Sequence, residues 1–524
     1  MSQSPWLKIS NLQKSITNDL ELRELAAKHL KISPAEITEI KILRESLDAR
    51  KKSNLKFIYT LAIRLVEASV VLQDSGISVY EPAQPPQIEP VHQFDAQPVI
   101  IGSGPAGLFA ALALVEKGYQ PIIFERGKPV EDRSRDVSAL WNQRIFNENS
   151  NALFGEGGAG TFSDGKLTAR NQDFFTDQVL NTLIRFGAPA EIGYQQKPHI
   201  GTDKLRQIIP EIRQFLIENG AKIHFNSKLD DLEIKNQSVT GVSINNQILP
   251  AQNLILAIGH SARDVYRLLI QKGVKSGSKA FAVGVRAEHP RKFIDSSQYG
   301  RNCDFQITGA ADYRLTYNSP KDKRGIYSFC MCPGGEVILA NSASEEVVIN
   351  GMSSFARNKA LSNAGIVVTV HPDDFGAEPL NGIEFQEQIE KNAFKLSGDN
   401  YNAPAQTIAD FVKNQFREKL KKSSYRPDLT AVDFNRIFPA FITDALREGL
   451  KNFNQKIPGF IEEGLLIAPE TRTSSPIRIL RNENSFESVN IKGLFPIGEG
   501  AGYAGGIVSS AADGLKLAFR VKPR

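Results

Sequence analysis

The chain has 524 residues, 41% hydrophobic and 23% charged, with 63 Lys and Arg against 58 Asp and Glu. At roughly 100–200 residues per domain this length excludes a single compact domain, and the balance excludes a disordered or collagen-like chain. Three cysteines, Cys303, Cys330 and Cys332, exclude a secreted disulfide framework and point to a reducing, cytoplasmic location. The net charge of +5 permits an anionic partner without demanding one. No leader-like segment opens the chain, and no apolar run approaches the ~20 residues of a membrane-spanning helix, so no membrane partner is expected.

Residues 1–80 read as a small α+β module. Leu20, Leu22, Leu25, Ala26 and Leu30 have the spacing of an amphipathic helix. Ser33, Pro34 and Glu36 make a capping box for a short second helix. Residues 37–47 and 55–65 read as strands around a turn that carries Arg50, Lys51 and Lys52. A solvated turn accounts for that basic run; contact with an anionic ligand or nucleic acid is the alternative. Pro82, Pro85, Pro86 and Pro90 mark residues 81–97 as an extended linker and the clearest domain boundary.

Directly after the linker stands a nucleotide-binding pattern. Residues 99–101 form a short apolar strand, Gly102-x-Gly104-x-x-Gly107 a turn, and residues 105–117 a helix that Gly118 ends. Gly102 permits the tight turn, Gly104 lets a pyrophosphate approach the backbone, and Gly107 lets the helix pack on the sheet. The helix N-terminus then offers free N–H groups to phosphate. A second apolar strand, 121–124, ends at Glu125, 18 residues after Gly107, where a carboxylate can accept from a ribose diol and repel a 2′-phosphate. Near the other end, residues 493–514 repeat the theme as strand, the acidic turn Gly498-Glu499, a glycine turn and a helix. An NAD dehydrogenase needs no such closing signature, so FAD is the better fit. Residues 254–259 look like a return strand ending in Gly259, preceded by crossing strands at 222–229, 232–234 and 239–244.

These features resemble a glutathione-reductase-type FAD domain. More closely, the chain resembles a family of bacterial FAD-dependent dehydrogenase-like proteins, mostly without assigned substrates. The resemblance rests on SLDARKK at 46–52, FGEGGAGTFSDGKL at 154–167, GVRAEHP at 284–290, FCMCPGG at 329–335, NGMS at 350–353 and ETRTSSPI at 470–477. It implies an α/β architecture: a discontinuous Rossmann-like FAD/NAD(P)-binding domain (98–278 and 489–524), an inserted α+β substrate domain (279–488), and a small ferredoxin-like N-terminal domain. Carried over residue by residue, Gly102, Gly104 and Gly107 face the pyrophosphate, Glu125 and Arg126 the adenosine, and Leu229 the adenine. Gly259 ends the return strand, while Gly498, Glu499 and Ile507 sit by the ribitol and flavin ring. Gly157, Gly158, Gly160 and Thr161 form a further backbone-rich loop along the cofactor, or else a plain surface turn.

The flavin would carry the redox chemistry, and the inserted domain is long enough to cover it. Cys330 and Cys332, one residue apart before a glycine turn, are a candidate thiol relay or nucleophile. Small buried residues on a strand are the plainer reading, and strand alternation would put both thiols on one face. His289 is a candidate proton donor, His199 a weaker one, and each is as readily structural. Arg472 and Arg478, with Thr471 and Thr473, suit a carboxylate or phosphate substrate or a structural ion pair. Asp164 and Lys166 adjoin the glycine loop. No metal-ligand spacing appears, and no second glycine motif, so any NAD(P)H binds transiently. The leading expectation is an FAD-dependent oxidoreductase acting on a small, anionic molecule. The alternatives are a flavin-dependent RNA-modifying enzyme, prompted by the basic module, and a flavin-binding redox sensor or scaffold. No motif sets an oligomeric state.

Overall fold

Short strands buried along their whole length cannot alternate between core and solvent; they need cover on both faces, as parallel strands have. Val99–Ile101, Leu254–Leu256 and Leu494–Pro496 are of this kind. The computed structural model describes residues 4–66, 77–169, 173–301 and 303–524, and every count below is of those residues. It sets these strands in a five-stranded parallel sheet ordered Leu494–Pro496, Leu254–Leu256, Val99–Ile101, Ile122–Phe124, Lys222–His224. Helices Pro105–Glu116 and Ile507–Phe519 pack on each other beside it, so closely that a Cβ on Gly514 would run into the Ala106 carbonyl. An antiparallel meander, Leu229–Lys235, Ser238–Ile244 and Gln247–Pro250, crosses between the fifth strand and the second, Leu254–Leu256. The last stretch of chain thus completes a sheet begun some 400 residues earlier.

The inserted domain is clamped at its base by a two-stranded ladder, Ser276–Ser278 against Ile477–Ile479. That ladder corrects the expected boundary at 488. Ile477, Ile479 and Phe486 pack in the cores of the nucleotide-binding domain, and Arg481 pairs with Asp513 on the C-terminal helix (2.7 Å). Between the two ladder strands the chain builds a seven-stranded sheet. Its order is Thr316–Asn318, Gly325–Cys332, Leu361–Val370, Phe281–Pro290, Leu465–Glu470, Ala403–Thr407, Leu429–Ala431. Helix Ala440–Lys456 lies on one face, where Gly449 meets Ile326, and the largest apolar cluster of the chain forms there.

The N-terminal module orders its antiparallel strands Ile37–Asp48, Lys56–Leu65, Leu7–Ser15, Ile77–Val79, with helix Leu22–Leu30 between the first two in sequence. Residues 67–76 of the expected module lie outside the described residues. The strand Leu7–Ser15 escapes a period-two reading because a bulge between Ile9 and Leu12, with Asn11 at φ +59°, shifts its alternation. Ser33 and Glu36 do form their capping box, but on a single 3₁₀ turn. The module docks through Glu45, whose N–H donates to the Tyr194 carbonyl (2.8 Å) and whose carbonyl accepts from Gln196 (2.9 Å). Arg50 pairs only with Asp48 and projects into solvent. Among the described residues no helix is long and apolar enough to cross a membrane.

His289, a candidate proton donor on sequence grounds, is held in the core of the inserted domain instead. It is 1% exposed, stacked against Phe293 and tilted on Phe460, and its Nε2 donates to the Phe460 carbonyl (2.9 Å) while Nδ1 has no partner. Burial pulls its pKa down to about 4, and burial does the same to His199, which bonds the Phe355 carbonyl. The folded chain therefore takes up these protons less readily than the unfolded one, whose imidazoles titrate near ~6.5. Stability should rise with pH between about 4 and about 6.5 and gain nothing further from these groups above that. In urea unfolding, His289→Gln should flatten part of that rise; an unchanged slope would show that His289 is not held neutral in the core.

Candidate functional site

The carboxyl ends of the parallel strands open into a cleft of about 1020 Å³, roofed by the seven-stranded sheet. That is the upper end of the roughly 300–1,000 Å³ usual for ligand cavities, enough for a dinucleotide with a second molecule beside it. The glycine turn sits at its floor. Gly102 has φ +100°, and a Cβ there would strike the Ala257 carbonyl, so only glycine serves. Gly104 caps the helix Pro105–Glu116 and packs against Gly158 at the edge of the cleft, where its Cβ would stand 3.7 Å from the Gly158 Cα. Gly107 does not face the cleft; its missing side chain lets the helix sit on the Gly102 carbonyl. The helix Ile507–Phe519 brings a second N-terminus to the same cleft through Gly505, Gly506 and Ile507. Two helix ends aimed at one cavity favour a negatively charged occupant.

Glu125 and Arg126 line the same cleft. Glu125 accepts from Ser103 N and Oγ (2.8 and 2.9 Å), Gly127 N (2.9 Å) and Gly155 N (3.1 Å). Its carboxylate thus ties three loops together, and a ribose hydroxyl would share oxygens already accepting. Arg126 pairs with Asp264 (2.9 Å) and lies over the Phe154 ring, 4.2 Å from its centre. Leu229, Gly158, Gly160, Gly259, Glu499 and Ile507 also line the cleft. Gly157, Thr161 and Gly498 lie behind its wall. A Cβ on Gly157 would run into Ile209, Thr161 is fully buried with its hydroxyl on the Glu156 carbonyl (3.3 Å), and Gly498 N–H donates to Asp513 (2.7 Å). The glycine floor and the two helix ends fit a flavin dinucleotide's pyrophosphate.

At the roof, Tyr327, Phe329 and Cys330 come from one strand, and Lys166 donates to the Met331 carbonyl beside them. Asp164 is engaged by Arg357 and by Ser353 (2.5 Å). Of its two readings, anion binder or structural ion pair, Arg472 takes the second. It is buried with Arg263 around two carboxylates, 2.9 Å from Glu390 and 3.1 Å from Glu346, while Arg263 reaches Glu390 at 2.7 Å and Thr471 donates to Glu390 as well. Burial alone would raise both acids. The two guanidinium groups hold Glu390 well below the carboxylate range, whereas burial and the charge of Glu390 leave Glu346 pushed up to about 7. The charge of Arg472 is spent on that cluster. Arg478 stacks on Tyr503 (5.0 Å), lines the cleft and has no ion pair among the described residues.

Sequence reasoning missed His260. It follows the strand-end Gly259, lines the cleft, and shares a 2.6 Å hydrogen bond between Nδ1 and Ser261 Oγ. Burial lowers its pKa against the opposing pull of Glu499. A histidine a few residues beyond the carboxyl end of a parallel strand is a legible signal, because ligands gather at those ends.

A nucleotide-binding α/β domain closed by its own C-terminus and covered by an inserted sheet defines the class. Residues 280–473 match the family model described as FAD-dependent protein, C-terminal domain-like, and residues 6–64 match a domain of unknown function. An uncharacterized protein of Clostridium beijerinckii is 44% identical over 524 residues, 98% of this chain and 98% of its own. The chain belongs to that family of FAD-dependent proteins, and FAD is its cofactor. Protein FixC of Escherichia coli (strain K12) is 24% identical over 202 residues, 38% of this chain and 45% of its own. Glycine oxidase of Bacillus cereus is 12% identical, with 80% of this chain and 93% of that one aligned, at a TM-score of 0.31.

Gly104→Ala should fold normally, since its Cβ meets only an ordinary contact at Gly158, yet narrow the cradle. The purified variant is expected to keep its thermal midpoint and lose most of its flavin absorbance. Arg472→Met should cost about 3–5 kcal/mol in urea unfolding, because it strands buried carboxylates. Unchanged stability would return Arg472 to the substrate.

Proposed function

We propose that the protein is an FAD-dependent oxidoreductase acting on a small anionic molecule bound between the cofactor and the seven-stranded roof. The observation that carries this is a single cleft running from the glycine floor to Tyr327, Phe329 and Cys330. When bound there, FAD supplies two-electron or one-electron transfer. The chain's own residues place and shield. The helix starting at Pro105 and Gly158 hold the pyrophosphate end, Arg126 and Leu229 the adenosine end, and Glu499 with Ile507 the other half. Lys166, Lys279 and Arg478 give the cleft cations, and Arg478, half in solvent on its Tyr503 platform, can turn to a substrate carboxylate or phosphate. The roof keeps bulk water from the reacting centre.

In this reading the nucleotide-binding domain is of the glutathione-reductase type, as its parallel sheet and crossing meander support. The N-terminal strand order supports a ferredoxin-like module. The location is cytoplasmic, and a nicotinamide donor, having no second glycine motif to hold it, binds transiently over the cleft. Anaerobic mixing with NADH and NADPH, then reoxidation by a panel of anionic metabolites, tests it. Bleaching and recovery of the flavin absorbance are expected, with KM for the reoxidising metabolite raised about 10–100-fold in Arg478→Ala, as the loss of a charge-assisted hydrogen bond would do. Flavin that no reductant and no metabolite changes would leave FAD a structural group and overturn the reading.

A further inference from the structure

The strand Gly325–Cys332 meets the cleft at its carboxyl end, and there its pairing with Leu361–Val370 slips. Phe329 pairs with Gly365 and Cys332 with Asn363, so three steps on one strand oppose two on the other. The extra residue makes a β-bulge, and within it Cys330 takes φ +40°, which a side-chain-bearing residue adopts only when its surroundings impose it. Arg286 supplies the imposition. It is fully buried, gripped by both oxygens of Glu470 (2.7 and 2.6 Å) and by Asn363 (2.7 Å), and it donates to the Cys330 carbonyl (3.1 Å). Lys166 secures the next carbonyl, that of Met331. Gly351 and Gly365 leave the room this needs: a Cβ on the first would strike Arg286 and Cys332, and one on the second the Glu470 carboxylate.

The bulge separates the two thiols in depth. Plain alternation would set them on one face; instead Cys330 lines the cleft while Cys332 is completely buried behind it, its Sγ on the Cys330 carbonyl (3.4 Å). The groups facing Cys330 are mostly cationic or donating. The adjoining Cys332 thiol, with Lys166 and Arg286, outweighs burial and the opposing charge of Asp164, and brings the Cys330 pKa down to about 6. Burial and the adjoining Cys330 push Cys332 well above the ordinary thiol value. One thiol is thus set to attack and its neighbour to keep its proton until needed. Acyl transfer has no use for a second thiol in reach; disulfide exchange requires one, because a mixed disulfide must be resolved.

We propose that Cys330 and Cys332 are a reactive dithiol that reduces an anionic, low-molecular-weight disulfide bound in the cleft, Cys330 attacking and Cys332 resolving. This deepens the oxidoreductase reading of the cleft and rests on it. The Cys330 thiolate attacks one sulfur of the substrate, forming a mixed disulfide and expelling the first substrate thiolate, which takes the Cys332 proton. The Cys332 thiolate then attacks the Cys330 sulfur, closing a Cys330–Cys332 disulfide and expelling the second substrate thiolate, which takes a proton from water. The substrate disulfide is reduced to two thiols as the protein dithiol is oxidised, and an external dithiol restores the starting state.

The test uses the full-length, flavin-loaded protein in a Cys303→Ser background, since Cys303 is the remaining free thiol. Iodoacetamide labelling followed by peptide mass spectrometry should show Cys330 reacting with a midpoint near pH 6 and Cys332 reacting slowly. Anaerobic reaction with the anionic disulfide 5,5′-dithiobis(2-nitrobenzoate) should release about two thiolate equivalents and leave Cys330 linked to Cys332. With Cys332→Ser it should stop at about one and retain the mixed disulfide on Cys330. A Cys330 midpoint near the ordinary ~8.5, or no adduct on Cys330, would overturn the proposal. The labelling needs no variant, so a poorly folded Cys332→Ser does not shelter it. Flavin absorbance of the same samples separates the two readings. Retained, reducible flavin with an inert Cys330 sinks the dithiol alone, whereas a reactive Cys330 beside flavin that never reduces sinks the flavin oxidoreductase.

Discussion

Everything in this molecule hangs on the strand Leu254–Leu256 pairing in parallel with Val99–Ile101 on one side and Leu494–Pro496 on the other. Parallel neighbours end at the same edge, so the turns that follow these strands converge. Gly102–Gly104, Gly259–His260 and Gly498–Glu499 come from three distant parts of the chain and meet there for that reason alone. The pairing also obliges the chain to leave the sheet after residue 256 and return before 494, and a whole domain is strung on that excursion. The ladder between Ser276–Ser278 and Ile477–Ile479 closes the loop at its base and aims the inserted sheet at the edge where the turns converge.

Buried charge then decides how the roof sits over the floor. Arg263, on the helix that follows the strand Leu254–Leu256, and Arg472, at the end of the inserted sheet, grip the same two carboxylates, Glu346 and Glu390. Such a cluster is stabilising only when every member is present, because each one compensates the desolvation of the others. It therefore specifies one docking of the two domains more sharply than apolar packing would. Arg286 and Glu470 play the same part within the roof, where their pairing fills the space that Gly351 and Gly365 leave and shapes the strand that carries Cys330.

Local pattern was legible where one short segment does the whole job. The strand, glycine turn and helix at 99–116 can be read directly, because the turn's glycines answer to contacts within the same unit. The closing helix was readable for the same reason; of the crossing strands expected at 222–229, 232–234 and 239–244, the first falls on the parallel strand Lys222–His224, and the meander's last strand, Gln247–Pro250, was missed. Glu125, Arg126 and Glu499 line the cleft as residues that follow strand ends of a parallel sheet. Gly157, Thr161 and Gly498 were harder: adjacent loop residues alternate between facing a cavity and packing behind it, and the alternation depends on what lies beneath, here Ile209, Glu156 and Asp513. His289 illustrates the same limit. Its neighbours in sequence say nothing of Phe460, which covers it from 171 residues away.

By itself, the sequence determined that this is an α/β chain built to hold a dinucleotide, and where its first glycine turn lies. Those are properties of chain segments shorter than about 30 residues, where backbone conformation and residue type are tied directly together. The tertiary structure decided which charges are paired and which thiol reaches the cleft. Arg472 and Arg478 look alike in sequence, yet one is neutralised by carboxylates some 80 to 130 residues away and the other stands on Tyr503 facing the cleft. Cys330 and Cys332 differ only because a bulge, held by Arg286 from another strand, breaks their alternation. Desolvation and charge pairing are set by whatever arrives from far along the chain, and that information exists only once the chain has folded.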